Sequence, residues 1–144
     1  MSDQNLKNHA RFIPLWHYIT SLLIFVILGF SIINFLHSDM HPAELHRHLP
    51  LLLTPVVLLI IWWYARAFAL RAQDRAIRAE ENFRHFILTG KPLSSKLSMG
   101  QIIALRFAGD TEFPALAQKA VEENLSSKQI KESIQNWKAD YNRA

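Results

Sequence analysis

Two stretches decide the fold: LWHYITSLLIFVILGFSIINFL, residues 15–36, which has no Lys, Arg, Asp or Glu, and LPLLLTPVVLLIIWWYARAFAL, residues 49–70, whose one charge is Arg66. A helix rises about 1.5 Å per residue, so each 22-residue run reaches roughly 33 Å and matches a hydrocarbon core of about 30 Å. A soluble core helix rarely stays apolar beyond about 14 residues, so both runs predict membrane spans rather than a buried hairpin. The first follows Lys7 and Arg11 as a secretory signal would, but its apolar run exceeds a cleavable core and no small-x-small site follows, so we expect a retained signal-anchor helix.

Orientation follows from Lys and Arg. The N-terminal tail carries two, the segment 37–48 carries only Arg47, and thirteen follow Ala65. The positive-inside rule then places both termini in the cytoplasm, with the excess cations facing anionic lipid headgroups. The expected layout is a tail over 1–14, a first span over 15–36, a short outer loop over 37–48 and a second span over 49–70. An amphipathic cytoplasmic helix over 71–89 and a helical module over 90–144 complete it. The fold class is therefore all-α: an integral membrane helical hairpin whose second span continues into a cytoplasmic rod, followed by a small three-helix C-terminal module.

Pro14 stands where the first span would start, and Gly29 would let another helix approach closely. Trp16 and Tyr18 on the first span, and Trp62, Trp63 and Tyr64 on the second, suit an aromatic belt at the inner interface. Pro50 falls in the first turn of the second span, whereas Pro55 lies where the helix is already formed and predicts a kink relieved by Thr54. No breaker follows Tyr64, so the helix should leave the membrane and stop at Thr89-Gly90-Lys91-Pro92.

Along this rod Ala65, Ala69, Ala72, Ala76, Ala79, Phe83 and Phe86 step by four and three, a heptad seam of mostly small residues. Asp74/Arg78 and Glu80/Arg84 have the spacing of helix-surface ion pairs. Ser98 with Gln101, and Ser126 with Gln129, read as capping boxes. They open helices with Met99, Ile102, Ile103 and Phe107 on one apolar face, and with Ile130, Ile134, Trp137 and Tyr141 on the other. Between them Asp110 or Thr111 would cap a helix carrying Phe113, Leu116, Ala117, Ala120 and Val121. Three short helices bury little alone, so the module should dock on the Ala/Phe seam of the rod.

The absence of cysteine excludes disulfides, thiolate metal sites and a Cys nucleophile. Glycines at 29, 90, 100 and 109 form no phosphate loop, and no activated nucleophile or apolar carboxylate pair stands out, so we expect no enzyme. Lys128, Lys131 and Lys138 are interleaved with Glu122, Glu123, Glu132 and Asp140, which leaves no basic face for nucleic acid. The strongest polar concentration is His37, His41, His46 and His48, with Asp39 and Glu44. Imidazoles and carboxylates suit a divalent transition metal, but the spacing matches no familiar ligand motif, and a solvated loop is the competing reading. A bis-histidine haem within the chain does not fit, because His17 and His37 fall near opposite faces of the first span and the second has no histidine.

Gln4-Asn5-Leu6-Lys7-Asn8-His9, the run Gln101-Ile102-Ile103-Ala104-Leu105-Arg106-Phe107-Ala108 with Asp110, and the ending Ile130–Arg143 resemble an uncharacterised family of short bacterial two-span membrane proteins, a domain of unknown function. The likeness covers nearly the whole chain. It implies residence in the bacterial inner membrane and supplies no catalytic or binding residue. The functional expectation is a non-enzymatic, membrane-anchored accessory subunit that meets the lipid bilayer and another membrane protein or further copies of itself. Ala69, Ala72, Ala76, Ala79, Phe83 and Phe86 are its candidate interface. The alternative is a metal or small-ligand binder using the histidine loop. A channel with Pro55 as its moving part is a third class, disfavoured because neither span has a central ionisable residue.

Overall fold

The computed structural model describes residues 4–6, 13–38 and 41–140, with the backbone alone for 42–44. Among these the regular structure is all helical. Helix α1, Leu15–Leu36, is wound as a π-helix over Leu15–Thr20 and as an α-helix over Ser21–Leu36; α2 spans Pro42–Thr89, α3 Met99–Leu105, α4 Phe113–Glu122 and α5 Ser127–Ser133. The chain divides into two compact units, Phe12–Phe68 and Ala69–Ala144 with Met1–Arg11.

Two helices are long and apolar enough to cross a membrane, α1 in the first unit and the stretch Leu45–Thr89 of α2, whose residues past Phe68 belong to the second unit. The side chains of their apolar windows point outward, with only 6% of each window buried. The hairpin is pinned at both ends. Trp16 and Trp62 stack with ring centroids 6.0 Å apart, and Trp62 Nε1 donates to the Trp16 carbonyl at 3.3 Å. At the other end Asn34 Nδ2 lies 3.1 Å from His48 Nδ1. Between them Pro55 is fully buried. The π-winding at the start of α1 coincides with hydroxyls that back-bond to carbonyls: Thr20 Oγ1 donates to Leu15 O at 2.9 Å and Ser21 Oγ to His17 O at 2.6 Å.

Helix α2 starts earlier than the sequence patterning suggested. Leu45 N donates to His41 O at 3.1 Å, and Pro42 fits the first turn because its missing N–H has no helical partner there. Residues 42–48 of the expected loop are thus helical, and Pro50 lies inside the helix rather than in its first turn. The helix continues through Pro50 and Pro55, with Thr54 Oγ1 donating to Pro50 O at 2.7 Å.

The second unit begins with the rod, Ala69 to Thr89. Gly90 ends it in the left-handed conformation, φ 71°, with its N–H on Phe86 O at 2.8 Å, an arrangement any side chain would strain. Both capping boxes form. Ser98 accepts from Gln101 N and Gln101 Oε1 from Ser98 N, and Ser126 and Gln129 repeat the exchange. The Gln101 amide also donates to Leu125 O at 2.9 Å, tying the start of α3 to the turn after α4. Leu105, Phe107, Phe113 and Ile130 are fully buried in the core, and Ile77 of the rod joins them. Each such side chain contributes about 1.5–3 kcal/mol through burial.

Two local readings change. Glu112, not Asp110 or Thr111, is the cap residue of α4, and it makes no side-chain cap bond. Its carboxylate instead accepts the N–H groups of Gln135 and Asn136, each at 3.0 Å, and of Gly109 at 3.3 Å. Capture of those two N–H groups takes them from the helical ladder, so α5 stops at Ser133 instead of continuing through Trp137. The chain then runs extended beside residues 107–109. Gly109 N donates to Asn136 O at 2.9 Å and Lys138 N to Phe107 O at 2.7 Å, bracketing an antiparallel bridge between Ala108 and Trp137. A Cβ on Gly109 would lie 3.2 Å from the Asn136 carbonyl oxygen, so glycine permits the approach. Trp137 stacks on Phe107 at 4.7 Å. Tyr141 lies outside the described residues.

Candidate functional site

From Ala69 onward α2 has two faces with different fates. Ile77 and Glu81 are buried, Arg84 is largely covered, and the module packs on this side. At about 100° per residue the seam Ala69, Ala72, Ala76, Ala79, Phe83 and Phe86 lies roughly 140° further round the helix. Every one of those six residues is exposed, Phe83 at 65% and Phe86 at 52%, and Ile87 beside them is 65% exposed. The expected docking of the module on the seam is therefore corrected. The Ile77/Glu81/Arg84 stripe, spaced four and three like the seam but carrying charges, takes that role. It could be found in sequence only by allowing that two charged residues can be buried when they pair with each other.

That pairing is a clasp centred on Arg84. Its guanidinium reaches Glu81 Oε2 at 3.0 Å, Asp110 Oδ1 at 2.7 Å and the Ala108 carbonyl at 2.6 Å, and it lies 4.3 Å from the centroid of the Phe113 ring. Arg84 thus pairs with Glu81 rather than with Glu80, which points to the exposed side. The guanidinium, first by hydrogen bonding and then by its charge, holds the Asp110 carboxyl below its ordinary value. A second clasp was not visible in the sequence: Arg106 Nη1 meets Asp140 Oδ2 at 2.9 Å, while the Gln4 amide donates to Asp140 O at 2.9 Å and accepts from Asp140 N at 2.7 Å. The N-terminal segment is thereby tied to the end of the module.

A cleft of about 660 Å³ lies between the end of α2, the segment after it and α4, walled by Leu93, Leu97, Pro114 and Val121 with His85 and Gln118 among its polar groups. These polar groups are engaged locally, His85 Nδ1 with Lys91 O at 2.8 Å and Gln118 with Glu122 at 2.8 Å.

The four histidines weighed as metal ligands lie around the end of α1 and the start of α2. His37 Nδ1 bonds the Ile33 carbonyl at 2.8 Å at the end of α1, His48 turns to Asn34, and His41 and His46 are exposed at the start of α2. Among the described residues no three His, Cys, Asp or Glu side chains form a group able to hold a metal ion. Asp39 and the side chain of Glu44 lie outside them.

The chain belongs over its whole length, residues 1–144, to a family of unknown function, DUF6526. No curated protein and no solved structure matches it.

Proposed function

Starting from membership of a family whose activity is not established, we propose that this protein is a membrane-anchored interaction subunit, held in the bacterial inner membrane by α1 and the first half of α2 with both termini in the cytoplasm. Outward-facing apolar side chains along two helices of sufficient length support the anchor, since a soluble core helix would be mostly covered. Pinning at both ends by Trp16/Trp62 and Asn34/His48 supports α1 as a retained span. The observation that carries the interaction reading is the rod's unused face: the module covers the Ile77/Glu81/Arg84 side and leaves Ala69 to Phe86 with Phe83, Phe86 and Ile87 exposed.

The test is site-specific photo-crosslinking in native membranes. A benzophenone side chain at Phe83 or Phe86 should yield a discrete adduct, and the same group at Arg78, off the seam, should not. Adduct yields equal at all three positions would sink the reading. Because the chain lacks cysteine, single cysteines in the connection near His41 and in the module also report topology with an impermeant thiol reagent. Labelling of both from the same side would overturn the two-span anchor.

A further inference from the structure

We propose that the free face of the rod is occupied by a second copy of this chain, running parallel and in register, with Arg75 of each copy meeting Glu80 of the other. The inference rests on the interaction reading above and names its partner.

The alanines alone would admit any closely approaching helix; the charges beside them select the occupant. With Ala69, Ala76 and Phe83 at one heptad core position and Ala72, Ala79 and Phe86 at the other, Arg75 and Asn82 flank the seam on one side. Gln73, Glu80 and Ile87 flank it on the other. In a parallel, in-register pair each residue of the first flank faces the residue five positions further along the partner's second flank. Arg75 therefore meets Glu80 and Asn82 meets Ile87, and the two-fold axis makes each contact twice. An antiparallel pair sets like flanks together, so Arg75 would face the other arginine or Asn82 and never Glu80.

Both charges are free for this use. Arg75 and Glu80 are exposed, and among the described residues neither forms an ion pair in its own chain, whereas Glu81 and Arg84 are consumed by docking the module. Copies anchored by the same two spans also share one orientation, so parallel is the sense open to them. The face is graded along its length, with four alanines admitting close backbone approach before Phe83 and Phe86. The two-fold axis brings those rings against their own counterparts, the self-complementary contact an isologous interface requires.

The experiment is oxidative cross-linking of the full chain in its native membrane, using single cysteines in the cysteine-free background. Ala76→Cys and Phe83→Cys should give a product of twice the monomer mass, and Arg78→Cys should not. Arg75→Glu placed on the Ala76→Cys background should lower the cross-linked fraction about tenfold, and adding Glu80→Arg should restore it. Hydrogen exchange of α3–α5 should match wild type in each variant, separating loss of pairing from loss of folding. An unchanged yield on charge reversal, or equal yield at Arg78→Cys, overturns the parallel pair. Photo-adducts at Phe83 with a different protein and no homodimer overturn the second copy while leaving the interaction reading standing. No seam adduct of any kind overturns both.

Discussion

Replacing Arg84 by alanine removes the group that fastens the rod to the module, and the structure sets the size of the effect. The substitution leaves the Glu81 carboxylate, 9% exposed, without a counter-charge. It also strips the Ala108 carbonyl of its donor and uncovers one side of Phe113. Removing one partner of a buried pair costs about 3–5 kcal/mol. The Asp110 end adds little, because that carboxylate is 64% exposed and such pairs give at most about 1 kcal/mol. Glu81 borders a cleft of about 470 Å³ that admits water, which places the total at the lower end, about 3 kcal/mol. At about 1.4 kcal/mol per tenfold, local opening of the module should rise roughly a hundredfold. Native-state hydrogen exchange of the full chain in detergent micelles, followed by mass spectrometry, reads this directly. Peptides covering Leu105–Glu122 should lose about two decades of protection while those covering 15–36 do not change. The double variant Glu81→Gln/Arg84→Ala should recover part of the loss, since the orphaned charge is gone. Less than about a threefold change for Arg84→Ala, or no recovery in the double variant, would refute the reasoning.

Further outcomes follow from the same geometry. Glu112→Ala should destabilise the segment after α5 by about 2 kcal/mol, because the N–H groups of Gln135 and Asn136 lose their acceptor while Gly109 N–H keeps the Asn136 carbonyl; exchange of Gln135 and Asn136 should accelerate first. Asp110 has a lowered folded-state pKa, so its contribution is present above its unfolded value near 3.8 and lost as pH falls through the folded value. Wild type and Asp110→Asn should therefore differ at neutral pH and converge below about pH 4 in a denaturation series. Gly90→Ala should cost about 1 kcal/mol because its φ of 71° disfavours a side chain, read as a lower melting temperature of the module. For the histidine segment, the metal reading requires stoichiometric metal in untagged protein that is lost when His41, His46 and His48 are replaced together; equal metal content before and after would end it.

Much of the architecture was legible in the residues because it depends on local or one-dimensional quantities. Charge-free runs of sufficient length, a glycine past the last periodic residue and Ser-x-x-Gln boxes each act over a few turns, and the hairpin, the end of α2 at Thr89 and the starts of α3 and α5 follow from them. The heptad seam was legible as a pattern too. Its use was not, since periodicity says that a face is apolar and not what covers it.

The sequence by itself determined an all-helical chain with two helices long and apolar enough for a membrane, a rod ending at Gly90 and a small capped module, because hydrophobic length and backbone capping are properties of contiguous residues. Only the tertiary structure decided which face of the rod holds the module. It also decided that Glu112 ends α5 early by taking the N–H groups of Gln135 and Asn136, and that Gln4 is tied to Asp140. Those outcomes turn on partners 23 to 136 positions apart, whose mutual hydrogen bonding outweighs the local helical preference of each segment and is set by the fold rather than by neighbouring residues.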